Sequence, residues 1–314
     1  MTYAPTTIDL TRIAPPAVIE GLTHERFRQE FIFRFGEQWD VERGIDPSLP
    51  VWDVGGLEAN PAARVGARAF SYIRLLDHQR VNDAIKALLA PLATGSDLDN
   101  LVARQNVQRL VVRAATADAP AVMESDAALL RRYLLSFDMA SAGSADRYLY
   151  EANKVWPQSE DKTLGLWDAR VNGFDVHGRR GDTDVVIIGP FGRLPTSEER
   201  AAVSAAVRSP HVKPEAVSVA VLNATRAEYE ANLVIEIAPG PDASVVQAEA
   251  VARVRAAGIE RTLIGGEVPD DFIPGAAYGP NVIKVRDLSP VVIEPDPYTV
   301  PVLTNINITV EVRG

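Results

Sequence analysis

Apolar positions in the first third of the chain recur at the helical period. Between about Ala17 and Trp39, the residues Phe27, Phe31, Ile32, Phe35 and Trp39 share one stripe at about 100° per residue. Phe33 falls on the opposite side, near Val18 and Leu22. A helix with two apolar faces is buried from two directions, either by later parts of its own chain or by a partner helix. A loop rich in Gly and Pro follows (Gly44, Pro47, Pro50, Gly55, Gly56), and Asn60-Pro61 supplies an N-cap and a first-turn proline for a second helix. That helix is expected to reach Leu89, about 45 Å at 1.5 Å per residue. Its stripe of Val65, Ala69, Ile73 and Leu76 steps in phase at Asp77-His78-Gln79-Arg80 and resumes as Val81, Ile85, Leu88 and Leu92. A helix of this length packs in a bundle. Thr94-Gly95-Ser96 ends it, and Ser96 with Asp99 reads as a capping box opening a short helix through Asn106.

Two more helices are expected between Glu124 and Trp156, split by Ser141-Ala142-Gly143-Ser144. After Pro157 the period changes. Leu166, Ala169 and Val171, then Val185 to Ile188, read as strands, with turn signals at Asn172-Gly173 and Gly181-Asp182. Thr196 caps a helix to about Arg208, and a strand follows at Val217–Leu222. A second round then runs through a strand at Ala231–Ala238, a helix from Asp242 ended by Gly258, and a short helix within Asp270–Tyr278. Strands at Val282–Val285 and Ile306–Val312 close the chain, joined by a loop containing Pro290, Pro295, Pro297 and Pro301. The fold class is therefore α+β multidomain: a helical N-terminal bundle-forming region followed by two small α+β domains. The expected division is an arm and helix over 1–60, with a Thr- and Pro-rich extended arm at 1–16, then a helical region over 61–157 and α+β domains over 158–225 and 226–314.

Composition narrows the chemistry more than it defines it. The 314 residues contain no Cys, which removes disulfides, thiolate metal sites and cysteine nucleophiles. The net charge of −10, with basic residues unclustered, argues against a nucleic-acid partner. No stretch approaches the roughly 18 apolar residues of a membrane span, and Met1–Pro16 lacks the segments of a signal peptide, so no membrane insertion and synthesis in the cytoplasm are expected. His24, His78, His177 and His211 show no metal-ligand spacing, and no glycine run makes a nucleotide loop. Acidic pairs at Glu198-Glu199, Asp270-Asp271 and Glu294/Asp296 are sequence neighbours, whereas glycoside hydrolysis needs carboxylates facing each other across a cleft. No catalytic residue, cofactor or metal is expected. Residues 1–115 hold 13 basic and 14 acidic groups, against 19 and 28 in the remainder. The near-neutral, aromatic N-terminal third thus reads as an assembly surface. Phe27, Phe31, Phe33, Phe35, Trp39, Ile73 and Leu76 are its expected subunit-interface residues.

Ordered motifs then give a resemblance. Ala93-Thr94-Gly95-Ser96-Asp97-Leu98-Asp99, with Leu101 and Gln108-Arg109-Leu110 after it, resembles the baseplate J-like family of phage contractile tails and related injection machines. Glu124–Phe137, Ser141–Ala152, Val207–Val221 and Pro239-Gly240-Pro241-Asp242 are similar to further family segments in the same order, so the likeness spans about residues 60–312. The first 60 residues share little with the family, and Asn153–Gly181 is a diverged version of its strand pair. The resemblance implies a structural wedge subunit without catalysis, placed in the baseplate of a virion or tailocin and assembled in the host cytoplasm. It implies a second copy of the chain and an I-type wedge protein as partners, with other baseplate subunits around a central hub. It also implies N-terminal helices in a shared bundle, and C-terminal domains that link neighbouring wedges into a ring and transmit the change that triggers sheath contraction. A tail-associated glycan-acting hydrolase is the alternative. A receptor-binding module is disfavoured by the helical N-terminal third and the lack of β-repeats.

Overall fold

The computed structural model describes residues 23–51 and 61–313, together with positions 14, 16 and 21; for 61–63 it describes the backbone alone. The expected arm at 1–16 and the Ala17–Leu22 start of the first helix otherwise lie outside the described residues. The chain divides into two compact units at residue 101/102.

The first unit is helical. Helix α1, His24–Ile45, starts where the Thr23 hydroxyl accepts the Arg26 N–H at 3.3 Å. It runs six residues past Trp39, through Asp40–Ile45, where Asp40 and Arg43 lie 3.9 Å apart one turn from each other. Helix α2 spans Pro61–Ala87 and helix α3 spans Gly95–Val102. Because α3 begins at Gly95, Ser96 lies inside its first turn, and the expected Ser96–Asp99 capping box gives way to a bond from the Asp97 N–H to the Thr94 carbonyl. A 3₁₀ turn, Ala103–Gln105, follows α3 and ends at Asn106 in the left-handed region (φ 57°).

The second unit opens with a short antiparallel ribbon of β1, Val111–Arg113, and β2, Val122–Met123. Helices α4, Asp126–Leu135, and α5, Ala145–Val155, follow, each capped by a serine hydroxyl, from Ser125 and Ser144. The first sheet has the order β3-β4-β5, from Asp168–Asn172, Asp182–Ile188 and Ser218–Asn223. The short helix α6, Phe174–His177, occupies the β3–β4 connection. Strand β4 is antiparallel to β3 and parallel to β5, so the β4–β5 link must cross over. Helix α7, Ser197–Val207, makes that crossover and starts with a complete capping box between Thr196 and Glu199.

The second sheet has the order β7-β6-β8, from Val282–Asp287, Thr225–Ile237 and Thr299–Val312. Strands β6 and β8 are both longer than their hydrophobic alternation indicates. They pair in parallel from Thr225–Thr299 to Ile237–Val312, and partner strands stabilise the polar starts of each. Pro301 is tolerated because β8 is an edge strand. Helices α8, Ala243–Arg261, and α9, Phe272–Ala277, cover this sheet. Val246, Ala250 and Val254 of α8 pack against Leu233, Ile235 and Ile237 of β6. Gly258 does not end α8; a Cβ there would lie 2.5 Å from Leu303 Cδ2, so the glycine permits close helix–strand packing.

The two sheets share a junction. Val186 and Ile188 from the first meet Val300 and Val302 from the second, with Ala224 and Ile264 between them. The Trp167 indole N–H donates to the Thr262 carbonyl at 2.7 Å, the Asn172 amide to the Pro297 carbonyl at 2.9 Å, and the Tyr298 hydroxyl to Asp184 at 2.7 Å. Gly192 closes the loop at this junction with φ 78°, and a Cβ there would sit 2.6 Å from Val302 Cγ2. Gly192→Ala is expected to cost roughly 2 kcal/mol or more, from overpacking plus the left-handed backbone, measured by chemical denaturation.

Asp168 gives the junction a pH dependence. Its side chain, 15% exposed, accepts the Ile264 N–H at 2.9 Å and lies 3.5 Å from Arg131. Burial pushes its carboxyl above the ordinary range, outweighing Arg131 and the backbone donors. A raised folded value means that this residue's contribution is fully present below its unfolded pKa and is lost as pH rises through the folded one. Asp168→Asn is therefore expected to raise the melting temperature relative to the parent more at neutral pH than in acid, read from paired thermal melts.

Candidate assembly surface

The α1–α2 hairpin holds all seven expected interface residues, and the structure sorts them by face. Phe27 is buried, with its ring centroid 4.9 Å from that of His78 on α2. Phe31 meets Phe70 of α2 at 5.1 Å and Phe35 at 5.8 Å, and Phe35 stacks on Trp39 at 6.1 Å. The Trp39 indole N–H donates to the Pro50 carbonyl and the Arg43 guanidinium to the Leu49 carbonyl, which folds the segment after α1 back along it. Asp46 holds that turn by accepting both the N–H and the hydroxyl of Ser48. These two bonds keep its carboxyl below the usual range. The aromatic stripe is therefore the inner face of the hairpin.

Phe33 lies on the outer side of α1 and is 63% exposed. Ile73 and Leu76 lie on the outer side of α2. The side of α2 turned inward mixes small, polar and aliphatic residues: Ala67, Ser71 and Asn82 are buried, with Leu75, His78 and Ile85 partly so. The Ser71 hydroxyl donates to the Ala67 carbonyl at 2.5 Å, so its burial leaves no polar group unpaired. Arg74 lies 3.1 Å from His78 Nε2 and can donate to it in the tautomer protonated at Nδ1. This inward row continues through Asp77–Arg80 to Asn82 and Ile85, so the resumed stripe read from the sequence divides, with Ile85 on the inward side and Val81 and Leu88 exposed. Sequence periodicity found the apolar stripes but not the inner side of α2, where Ser, His and Asn carry no hydrophobic signal.

One carboxylate of each acidic pair that a hydrolytic reading would use is engaged in local structure. Glu199 completes a helix cap and pairs with Arg193 at 2.8 Å, Asp270 accepts from the Asp271 N–H, and Asp296 accepts from the Tyr298 N–H and the Thr299 hydroxyl. A hollow of about 700 Å³ beside β3 is lined by Arg170, Asn172, Phe174 and Thr183, and Asp175 alone contributes a carboxylate. Among the described residues no group of three or more His, Asp or Glu side chains could hold a metal ion, and no helix is long and apolar enough to cross a membrane.

Comparison with known proteins bears out the resemblance carried by the motifs. Residues 58–116 match the family described as the baseplate J-like N-terminal domain, a stretch that includes α2, α3 and β1. Over 296 residues the chain is 27% identical to baseplate protein J of Escherichia phage P2, covering 90% of each chain.

Proposed function

We propose that this chain is a structural, non-catalytic subunit of a contractile-tail baseplate. On this reading it acts as a wedge component: its helical hairpin joins an I-type wedge protein and a second copy of the chain. Its C-terminal sheets bridge to neighbouring wedges in a ring around the hub, and the linked ring transmits the change that triggers sheath contraction. The regions 1–60, 61–157, 158–225 and 226–314 are proposed as the functional divisions. The observation that carries the reading is the outer face of the hairpin, where Phe33, Val65, Tyr72 and Ile73 are each more than half exposed. Large exposed apolar patches mark interaction sites, and Val65, Tyr72 and Ile73 lie on the segment that matches a baseplate family, with Phe33 on the helix before it. The similarity to a baseplate protein along nearly the whole chain supports the same assignment for both units.

Expression alone and with an I-type wedge protein tests this. The lone chain is expected to form ill-defined oligomers, and co-expression is expected to yield one stoichiometric soluble complex by size exclusion and light scattering. A monodisperse monomer that ignores the wedge protein would overturn the reading. Hydrolysis of cell-wall glycan by the purified chain would instead favour the enzymatic alternative.

A further inference from the structure

Both sheets of the second unit end in strands that pair on one side only, among them β5, β7 and β8. Such an edge is a template for a strand from another chain. On it, every second residue turns its N–H and C=O away from the sheet. The ladders fix which residues these are. The Leu288 N–H donates to the Asn232 carbonyl at 2.9 Å, so Asn232 turns toward β7, and Leu233 and Ile235 turn toward β8. Ile308, opposite Leu233 in the parallel pair, and Val285, opposite Ile235 in the antiparallel one, therefore face outward. On β5 the Ser218 N–H donates to the Gly181 carbonyl at 2.7 Å on the β4 side, which turns Val219 outward. Each of these outward residues is met by a side chain. Gln247 of α8 donates to the Ile308 carbonyl, Arg208 at the end of α7 donates to the Val219 carbonyl at 2.8 Å, and the Tyr278 hydroxyl after α9 accepts the Val285 N–H at 3.3 Å. The cover continues along β8. The Thr299 carbonyl accepts the Gly265 N–H at 2.8 Å, Pro301 has no N–H, and the Ile306 N–H donates to the Asn305 side chain at 3.0 Å. Gln247, Arg208 and Tyr278 are all exposed, so burial does not dictate their positions, and holding each in one geometry costs side-chain freedom.

We propose that these three side chains close the sheet edges to strand addition by a second copy of the chain. A second copy is the competitor to exclude, because two identical edge strands meeting across a twofold axis form a closed antiparallel pair with the same contacts on both sides. Each cap occupies the carbonyl or N–H that an incoming strand needs, and Arg208 also sets a like charge against its own copy. Neighbouring subunits then dock on this unit through faces and loops rather than by extending its sheets. The inference does not depend on what covers the helical hairpin.

The test follows amide exchange of the intact chain, resolved to single residues, across a concentration series, with circular dichroism to confirm that each variant is folded. The N–H groups of Ile308 and Val310 face outward beside the Gln247 cap and report strand addition directly. In the parent their exchange is expected to be independent of concentration. In Gln247→Ala combined with Asn305→Ala it should slow by about tenfold or more at high concentration, because the uncapped edge regains its hydrogen bonds only from an added strand. Gln247→Ala alone, with a smaller shift, carries the test if the double variant does not fold. Arg208→Ala and Tyr278→Phe should produce the same slowing at Val221 on β5 and Val285 on β7. Gln247→Lys, which restores a donor, and Arg200→Ala, on the exposed side of α7, should behave as the parent. Exchange that stays independent of concentration in every folded variant, or that only quickens, makes the caps local bonds and overturns the proposal. Slowing of equal size in the parent or in Gln247→Lys shows the edges open despite their caps and also overturns it. Association through the hairpin raises the mass without slowing these edge amides, so it is read apart from strand addition.

Discussion

Glu124→Leu is expected to destabilise the second unit by about 3–5 kcal/mol, the cost of leaving one member of a buried ion pair uncompensated. Glu124 and Arg132 have side chains only 1% and 2% exposed. The carboxylate takes a bidentate pair from the Arg132 guanidinium at 2.9 and 2.8 Å and a third bond from the Leu110 N–H at 3.1 Å. Arg132 also donates to the Gln108 carbonyl, while Arg109 bonds the Glu124 carbonyl at 2.8 Å and the Asp126 carboxylate at 2.6 Å. The network clips the Gln108–Leu110 segment onto the start of α4, soon after the chain enters this unit at Val102. Removing the carboxylate strands a buried guanidinium and frees the segment together. Guanidinium denaturation should show the loss, and adding Arg132→Met should recover much of it, since the stranded charge is the main cost. An unchanged midpoint in Glu124→Leu would mean that water reaches Arg132 and that the pair is not a structural clip.

That network also shows where sequence reasoning stops. Two helix starts were legible because Thr196 and Asp242 stand before periodic apolar runs; the structure uses both as caps, and Ser125 and Ser144 as well. The pairing of Glu124 with Arg132 was not legible: nothing in the spacing of two charged residues marks them as interior, and only the packed neighbours make them so. The sheet junction was hidden for a similar reason. The prolines between Ser289 and Pro301 read only as a loop joining two strands, yet the Pro297 carbonyl and Tyr298 hydroxyl from that stretch bond Asn172 and Asp184 of the first sheet. Long-range bonds of this kind leave no local periodicity. On the hairpin, the aromatic stripe was plain from spacing, but which stripe faces its own chain depends on what α2 offers in return. An alanine and a histidine there make room for large rings, so Phe27 and Phe31 turn inward and the aliphatic side turns out.

Phe27→Ala and Phe33→Asp are expected to separate folding from assembly, with opposite signatures on one helix. Phe27 is 1% exposed, so truncating it removes a large buried side chain and its contact with His78. The expected cost is about 3–5 kcal/mol of hairpin stability, visible as faster amide exchange across α1 and α2 with little change in the second unit. Phe33 is 63% exposed, so a charge there costs the isolated chain within about 0.5 kcal/mol. If the outer face docks another subunit, that same charge is desolvated on assembly without a partner, which costs far more than the contact it replaces. Phe33→Asp should therefore leave exchange and melting unchanged while sharply reducing recovery of the chain in wedge complexes or tail particles. Assembly that persists in Phe33→Asp would place Phe33 outside every interface and leave the docking role to the outer stripe of α2. Melting that drops sharply in Phe33→Asp would mean that an intrachain contact covers Phe33 and that the α1 outer face is core. Phe33→Ala matches the first substitution: on the exposed side it should leave exchange and melting unchanged, so that only the direction each ring faces separates it from Phe27→Ala.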